Sequence, residues 1–400
     1  MKCVPLFILL FATSACAVTT TAPSIMWQSA ATGGAISGTL LVPAQNRSGP
    51  LPTVVYLKNL SVERIGQEPD ESILADLVKA GHLVLVLDYA KHQKAISPNL
   101  NADVLKLRTD IGDAKRKSFL TDFKVDANHL FILAEGFRIK RDVEFARDES
   151  KPDKPRVLAM DVQYPSQPKR PVPMLIEYTC DNVNRMGNYS LLFCADSLLD
   201  GAQAAGFAVA MADHPVAPPY KGLDDPMPQC VDRAKAAVTK LRSLAPELGT
   251  SDRIGAIGFS RGGPFAAIVA CAGDVQAALV HGNRYDYLDL LSDDPMLARF
   301  EKAWGKRDEN KDKWAVHSAV TYFPNGEGTG ASKIAPMFLN TSDVESAVYR
   351  DGLAKFDARL KQLGVDHVYQ VDADGRGHRV SADPKTLGAI YEFFGKHLGQ

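Results

Sequence analysis

The sequence predicts an α/β fold with a mostly parallel, doubly wound sheet, and three observations carry that prediction. From residue 139 to 400, short apolar runs alternate with longer amphipathic ones, as strands alternate with the helices that cover them. Glycine, proline and aspartate punctuate the runs, so each reads as a separate element. Residues 18–138 repeat part of the same order in a worn form.

The first residues stand outside this pattern. Lys2, the apolar run "VPLFILLFA" and the triplet Ala15-Cys16-Ala17 have the make-up of an export signal over residues 1–17. The run is too short to cross a bilayer as a stable helix. Cys16 behind "TSA" also fits a bacterial lipoprotein acceptor, although Thr13 stands where an aliphatic residue is usual. The expected location is secreted or periplasmic, with a lipid anchor at Cys16 as the variant. Export leaves Cys180, Cys194, Cys230 and Cys271 where disulfides are permitted, with three pairings open.

Residues 18–138 form the accessory domain. Its "LPTVVYLKN" parallels "VPMLIEYTC" further on, and "ILADLVKAGHLVLVLDYA" parallels "LLDGAQAAGFAVAMADHP". "VDANHLFILAEGFR" then parallels "TSDRIGAIGFSRG", which sets Gly136 opposite Ser260 and His129 opposite Arg253. This half reads as a degenerate half-copy, or as βα units that look alike only because all such units do; on either reading it lacks the nucleophile.

Residues 139–400 hold the full set. "RVLAMDVQYP" and "VPMLIEYT" are strands, followed by a helix from Tyr189 to Ala205 and the strand "FAVAMAD". A helix from Pro228 to Leu244, the strand "RIGAIGF" and the helix "PFAAIVACA" come next. Two short strands, "AALVHG" and "IAPMFLN", flank an insertion at about 283–333. A helix from Tyr349 to Leu363, the strand "HVYQVD" and a helix from Pro384 to Leu398 close the chain.

Within this order, "AIGFSRGGP" carries the chemistry. A G-x-S-x-G arises by chance about once in ten chains of this length, so the motif alone decides nothing. Here it lies between an apolar strand and a helix, the setting in which the serine is a nucleophile on a forced turn. The backbone N–H of Arg261, at the start of that helix, is placed to meet an oxyanion. Ser260 needs a base, and His378 in the glycine-bearing loop "DADGRGHRV" comes after the last strand. The base needs a carboxylate to fix its tautomer. Asp343, just past "IAPMFLN", is the expected acid, with Glu345 two residues on as its competitor.

On these residues the stretch 139–400 resembles the α/β-hydrolase superfamily, in the group of dienelactone-hydrolase-like, acetylxylan and feruloyl esterases and prolyl-oligopeptidase domains. "WAVHSAVTYF" resembles that group's Ser-Pro-x-x-Tyr stretch, with alanine for the proline. The resemblance implies a Ser260-Asp343-His378 triad and no cofactor. The family's His-Gly oxyanion loop is missing; "YTCDNVNRMGNYS" stands there. A second oxyanion N–H then falls to Thr179 or Cys180, and Asp181, Asn182, Asn184 and Arg185 become substrate-binding candidates. His214 and Trp304 join them, the latter as an aromatic wall for a sugar or phenolic ring. His281, which also ends a strand, is a further candidate for the pocket lining.

The expected function is an exported serine esterase acting on acyl or aromatic esters of carbohydrate, or a similar small ester. A serine peptidase of the same fold and a non-catalytic binding relative are the alternatives. A formal net charge of −1 gives no ground for a nucleic-acid partner. No cysteine or histidine spacing suggests a metal site. The sequence leaves the oligomeric state open.

Overall fold

The computed structural model describes residues 25–44, 49–60, 72–90, 100–112, 120, 124–148, 153, 156–178, 198–215, 227–323, 334–375, 377–381 and 383–399. They form two sheets. The first contains β1 (Ile25–Gln28), β2 (Ala35–Leu41), β3 (Leu51–Lys58), β4 (Leu83–Asp88) and β5 (Val125–Ala134), in the order β1-β2-β4-β3-β5. Helices α1 (Ser72–Lys79) and α2 (Leu100–Gly112) connect its later strands.

The second sheet has eight strands. They are β6 (Phe137–Asp148), β7 (Arg156–Pro165), β8 (Val172–Tyr178), β9 (Ala208–Ala212), β10 (Thr250–Phe259), β11 (Ala277–His281), β12 (Met337–Ser342) and β13 (His367–Asp372). Their order is β13-β12-β11-β10-β8-β9-β7-β6, parallel from β9 through β13. The helices between are α3 (Leu198–Ala204), α4 (Met227–Leu248), α5 (Gly263–Cys271), α6 (Leu297–Trp304), α7 (Lys311–Ala315), α8 (Ala347–Gln362) and α9 (Pro384–Leu398). Local chemistry sets their ends. In α9, Asp383 accepts from the Thr386 N–H, Pro384 opens the first turn and Gly399 closes it at φ 73°.

The order β1-β2-β4-β3-β5 is the order β6-β7-β9-β8-β10 over again. The match extends to register. Thr53 pairs with Leu130 and Leu57 with Ala134, as Met174 pairs with Ile254 and Tyr178 with Gly258. Each of these strand pairs has a register shift just before that run. Thr53 faces Leu83 and Leu57 faces Leu87, as Met174 faces Ala208 and Tyr178 faces Ala212. Gly81 and Gly206, which end the helices before β4 and β9, have φ of 88° and 91°. The half-copy is therefore the same fold with its last three strands missing.

The two sheets share one core. Val54, Tyr56, Val84 and Phe131 of the first sheet pack in the same cluster as Phe137, Met160 and Ile176 of the second. The opposite face of the first sheet, with Val55, Leu85 and Ile132, is covered by Val104 and Leu107 of α2. The edge of β5 is closed differently from that of β10, which β11 continues. Gln203 of α3, wholly buried, accepts from the Ala134 N–H at 3.0 Å and donates to the Ile132 carbonyl at 2.9 Å. Arg108 of α2 donates to the Leu130 carbonyl at 2.9 Å. Side chains thus satisfy an edge that would otherwise expose ladder groups.

Candidate active site

The chain reaches the site along β10. Phe259 is extended at φ −116°, and Ser260 then turns to φ 50°. A non-glycine residue held in that region costs roughly 1–2 kcal/mol, which the surrounding fold must supply. A single 3-10 turn, Ser260–Gly262, leads into α5. Gly258 lets that turn close: a Cβ there would lie 2.4 Å from the Gly262 carbonyl oxygen and 2.7 Å from Ala266 Cβ. All nine residues of α5 are buried, so the helix is a fixed support for the half-buried serine. Its head carries the positive end of the helix dipole toward Arg261.

Beside it, β11 runs in register, Phe259 facing His281. The two residues after β11 touch both reacting side chains' supports. Asn283 Nδ2 donates to the Ser260 carbonyl at 2.7 Å. Gly282, at φ 57°, leaves the space in which His378 stands; a Cβ there would meet His378 Cε1 at 2.6 Å. Serine and histidine are thereby gathered at the carboxyl end of β11.

His378 Nδ1 donates to Glu345 Oε2 at 2.5 Å. This corrects the expected acid. Asp343 is exposed: its N–H donates to the Asp372 carbonyl, one step beyond the β12–β13 ladder, and its carboxylate accepts from the Ser342 hydroxyl at 3.2 Å rather than from the histidine. The Glu345 N–H then closes a turn onto the Ser342 carbonyl, folding Glu345 inward to 6% exposure. Burial alone would raise the Glu345 carboxyl, but hydrogen bonds from His378 and the Ser346 N–H outweigh it and hold the group below its ordinary value. Behind the histidine, the Tyr349 ring lies 5.0 Å from the His378 ring and carries the Arg284 guanidinium at 5.3 Å. Arg284 is itself held by two hydrogen bonds to Asp294, at 2.7 and 2.8 Å.

The sequence offered His281 only as a possible lining residue, and the structure places it deeper than that. It is buried at 1% exposure, and its Nδ1 lies 2.9 Å from Asn340 Oδ1. Asn340 Nδ2 donates to Asp372 Oδ2 at 2.9 Å, and Asp372 also accepts from Gln370 and Thr386. Burial first, and the neighbouring His378 second, push the His281 imidazole down to about 4. The only hint in the sequence was a histidine ending a buried strand.

Two substrate-binding expectations are corrected. Trp304 is no open platform: it is 5% exposed, stacks on Phe300 at 4.8 Å and packs edge-on to Trp314 at 5.0 Å. The aromatic residues of the insertion satisfy one another as a small second core. His214 is buried edge-on against Phe265 of α5, at 5.3 Å, so it braces the nucleophile's helix. Thr179, Cys180, Asp181, Asn182, Asn184 and Arg185 lie outside the described residues, as do residues 1–24 and Cys194. Cys230 and Cys271 are buried thiols, on α4 and α5. No described helix is long and apolar enough to cross a membrane.

Residues 228–400 match the model of the prolyl oligopeptidase family. Among solved structures, a bifunctional GH43-CE protein of Bacteroides eggerthii aligns at TM-score 0.50 and 17% identity, over 65% of this chain and 38% of that one. The acylaminoacyl peptidase of Pyrococcus horikoshii aligns at TM-score 0.51 and 14% identity, over 66% of this chain and 42% of that one. The chain has the α/β-hydrolase fold. No curated protein matches it. The chain spans less than half the length of those two structures, and at these identities the likeness is one of fold. The strained Ser260 and the His378–Glu345 pair lie together at the carboxyl ends of β10 to β12, where a sheet of this kind leaves room for a ligand.

Proposed function

We propose that the protein is an exported serine esterase that cleaves acyl or aromatic esters of carbohydrate, or similar small esters, through an acyl-enzyme on Ser260. The observation that carries the reading is the His378–Glu345 hydrogen bond beside a serine strained at φ 50° on a strand–helix turn.

On this reading each group has a role. Glu345 accepts the Nδ1 proton, so the Nε2 lone pair of His378 is free to take the Ser260 hydroxyl proton as Oγ attacks the ester carbonyl. The Arg261 N–H stabilises the charge that forms on the carbonyl oxygen. The alcohol leaves with the proton from Nε2, and water activated by the same nitrogen releases the acid. The triad is thus Ser260, His378 and Glu345. A peptidase of this fold would use the same groups, and the family model's name keeps that reading in play.

Labelling with a fluorophosphonate, then a panel of acetyl, feruloyl and methyl-glucuronoyl esters and blocked peptides, tests both levels. Label on Ser260 with turnover of the esters is the expected result. Turnover of peptides alone would transfer the site to the peptidase reading, and an unlabelled Ser260 would end the serine-hydrolase reading.

A further inference from the structure

The hydrolytic machinery uses one face of Glu345 and leaves a second histidine unexplained. His281 Nε2 lies 3.9 Å from Glu345 Oε2, the same oxygen that accepts from His378 Nδ1. It is buried and has no hydrogen-bond partner among the described residues. Its protonation state is fixed from behind. Asn340 must turn its Nδ2 toward the Asp372 carboxylate, which only accepts, so Asn340 Oδ1 faces His281 and takes the Nδ1 proton. Nε2 is then a bare lone pair aimed at a buried carboxylate. Nitrogen lone pairs in that position are costly unless something else fills the gap.

Ligand atoms of His281, Glu345 and His378 lie within 4.8 Å of one another. Two imidazoles and a carboxylate are a donor set suited to a divalent cation of the zinc class. Bonds of about 2.0–2.1 Å set ligand atoms roughly 3.3–3.5 Å apart. The two histidines must therefore draw together, while His378 Nδ1 and Glu345 Oε2, 2.5 Å apart, separate as the proton between them leaves. A ligating histidine ordinarily donates its other N–H to a polar partner that fixes its tautomer, as His281 does to Asn340. The missing side chain at Gly282 leaves the room beside His378 Nδ1. His378, on a loop and half-buried, is the ligand that can move.

We propose that His281 Nε2, Glu345 and His378 Nδ1 form a binding site for a zinc-class cation, and that the bound cation switches the hydrolase off. The proton balance is simple. With the metal on Nδ1, neutral His378 carries its single proton on Nε2 and can no longer accept one from Ser260. The metal also takes the carboxylate that steadied the imidazolium. The binding stands on the geometry alone, and the inhibition rests on the serine-hydrolase reading above.

The test titrates Zn2+ alone into the full chain by equilibrium dialysis, with esterase turnover and fluorophosphonate labelling measured in parallel. One equivalent bound, with turnover falling in step and restored by a chelator, is expected. His281→Gln removes a ligand and is expected to lose the bound zinc, while its labelling by fluorophosphonate survives without zinc. Asn340→Ala, acting through His281, is expected to weaken binding by about tenfold or more. Should both buried variants fail to fold, Co2+ added to the wild type reads the site directly through the visible spectrum of a four-coordinate ion with nitrogen ligands. Absence of stoichiometric zinc, zinc held equally by a folded His281→Gln, or a cobalt spectrum without nitrogen ligation would each overturn the site. Stoichiometric zinc on a chain that turns over no ester would leave the site standing and remove the function instead.

Discussion

Gly136 and Ser260 end matching strands, at matching register, and both have positive φ, 82° and 50°. Beyond these two residues the chain takes different courses. After Ser260 it winds into α5, so the turn gains an N–H donor backed by a helix. After Gly136 it runs straight into β6 and across to the other sheet. The strand ends differ too. In the first half Asn59 donates its N–H to Glu135 and its Nδ2 to Asp88, tying the ends of β3, β4 and β5 to one another. In the second half the sheet continues past β10 into β11 and β12, strands the first half lacks, and these add Asn283 and Glu345 to Ser260, held around a gap that Gly282 keeps open. A bent strand end is therefore not an elbow in the chemical sense. The helix behind it and the space in front of it make the difference.

The strongest way to break the comparison is to separate the halves. A chain starting at Ile139 keeps Ser260, His378 and Glu345 but loses the first-sheet residues of the shared core and Phe137. It is expected to be insoluble, and a soluble, active product in a sedimentation and turnover assay would make the first half an independent module. Next in size, Ser260→Ala is expected to lower kcat by about a thousandfold or more with an unchanged melting temperature. Glu345→Gln should come after it at about a hundredfold or more, while Asp343→Asn stays within about threefold. A reversed pair of losses would return the acid to Asp343.

Smaller effects probe the seam. Gln203→Leu leaves the Ala134 N–H and the Ile132 carbonyl without partners in a dry place, at about 2–5 kcal/mol, read as a lowered urea midpoint. His317, in the insertion that the first half lacks, stacks on Trp304, and burial pushes its imidazole down to about 3. The unfolded chain takes up that proton below the ordinary value near 6.5, whereas the folded one refuses it. Stability should therefore fall as pH drops from 6.5 toward 3, by roughly 1.4 kcal/mol per unit, and His317→Phe should flatten the slope in pH-dependent denaturation. Finally, Gly136→Ala should cost only about 1–2 kcal/mol at its positive φ and change no catalytic constant.

Much of this was legible in the chain. Buried parallel strands such as β3, β8 and β10 are continuous apolar runs, and the turn residues between them mark their ends. The half-copy was visible for the same reason. β6 was not, because "FRIKRDVEFARD" is a charged strand at a sheet edge, whose alternation is faint. The acid was misassigned for a geometric reason: Asp343 and Glu345 differ by a turn that only the Ser342 carbonyl defines. Trp304 was given to substrate because spacing marks an aromatic face but not whether that face meets solvent or Phe300. The part His281 plays lay beyond reach because it depends on Asn340 and Asp372, far along the chain.

Gln203 has a consequence in time as well as in space. The two backbone groups it satisfies were made about 70 residues earlier, in Ile132 and Ala134. In a chain that emerges amino-terminal end first, β5 waits with an open ladder until α3 arrives. The first half by itself lacks the side chain that satisfies these two groups. A single amide, bonded at once to β5 and to Gln163 of β7, is the latch that lets the older segment of the chain stop searching for a further strand.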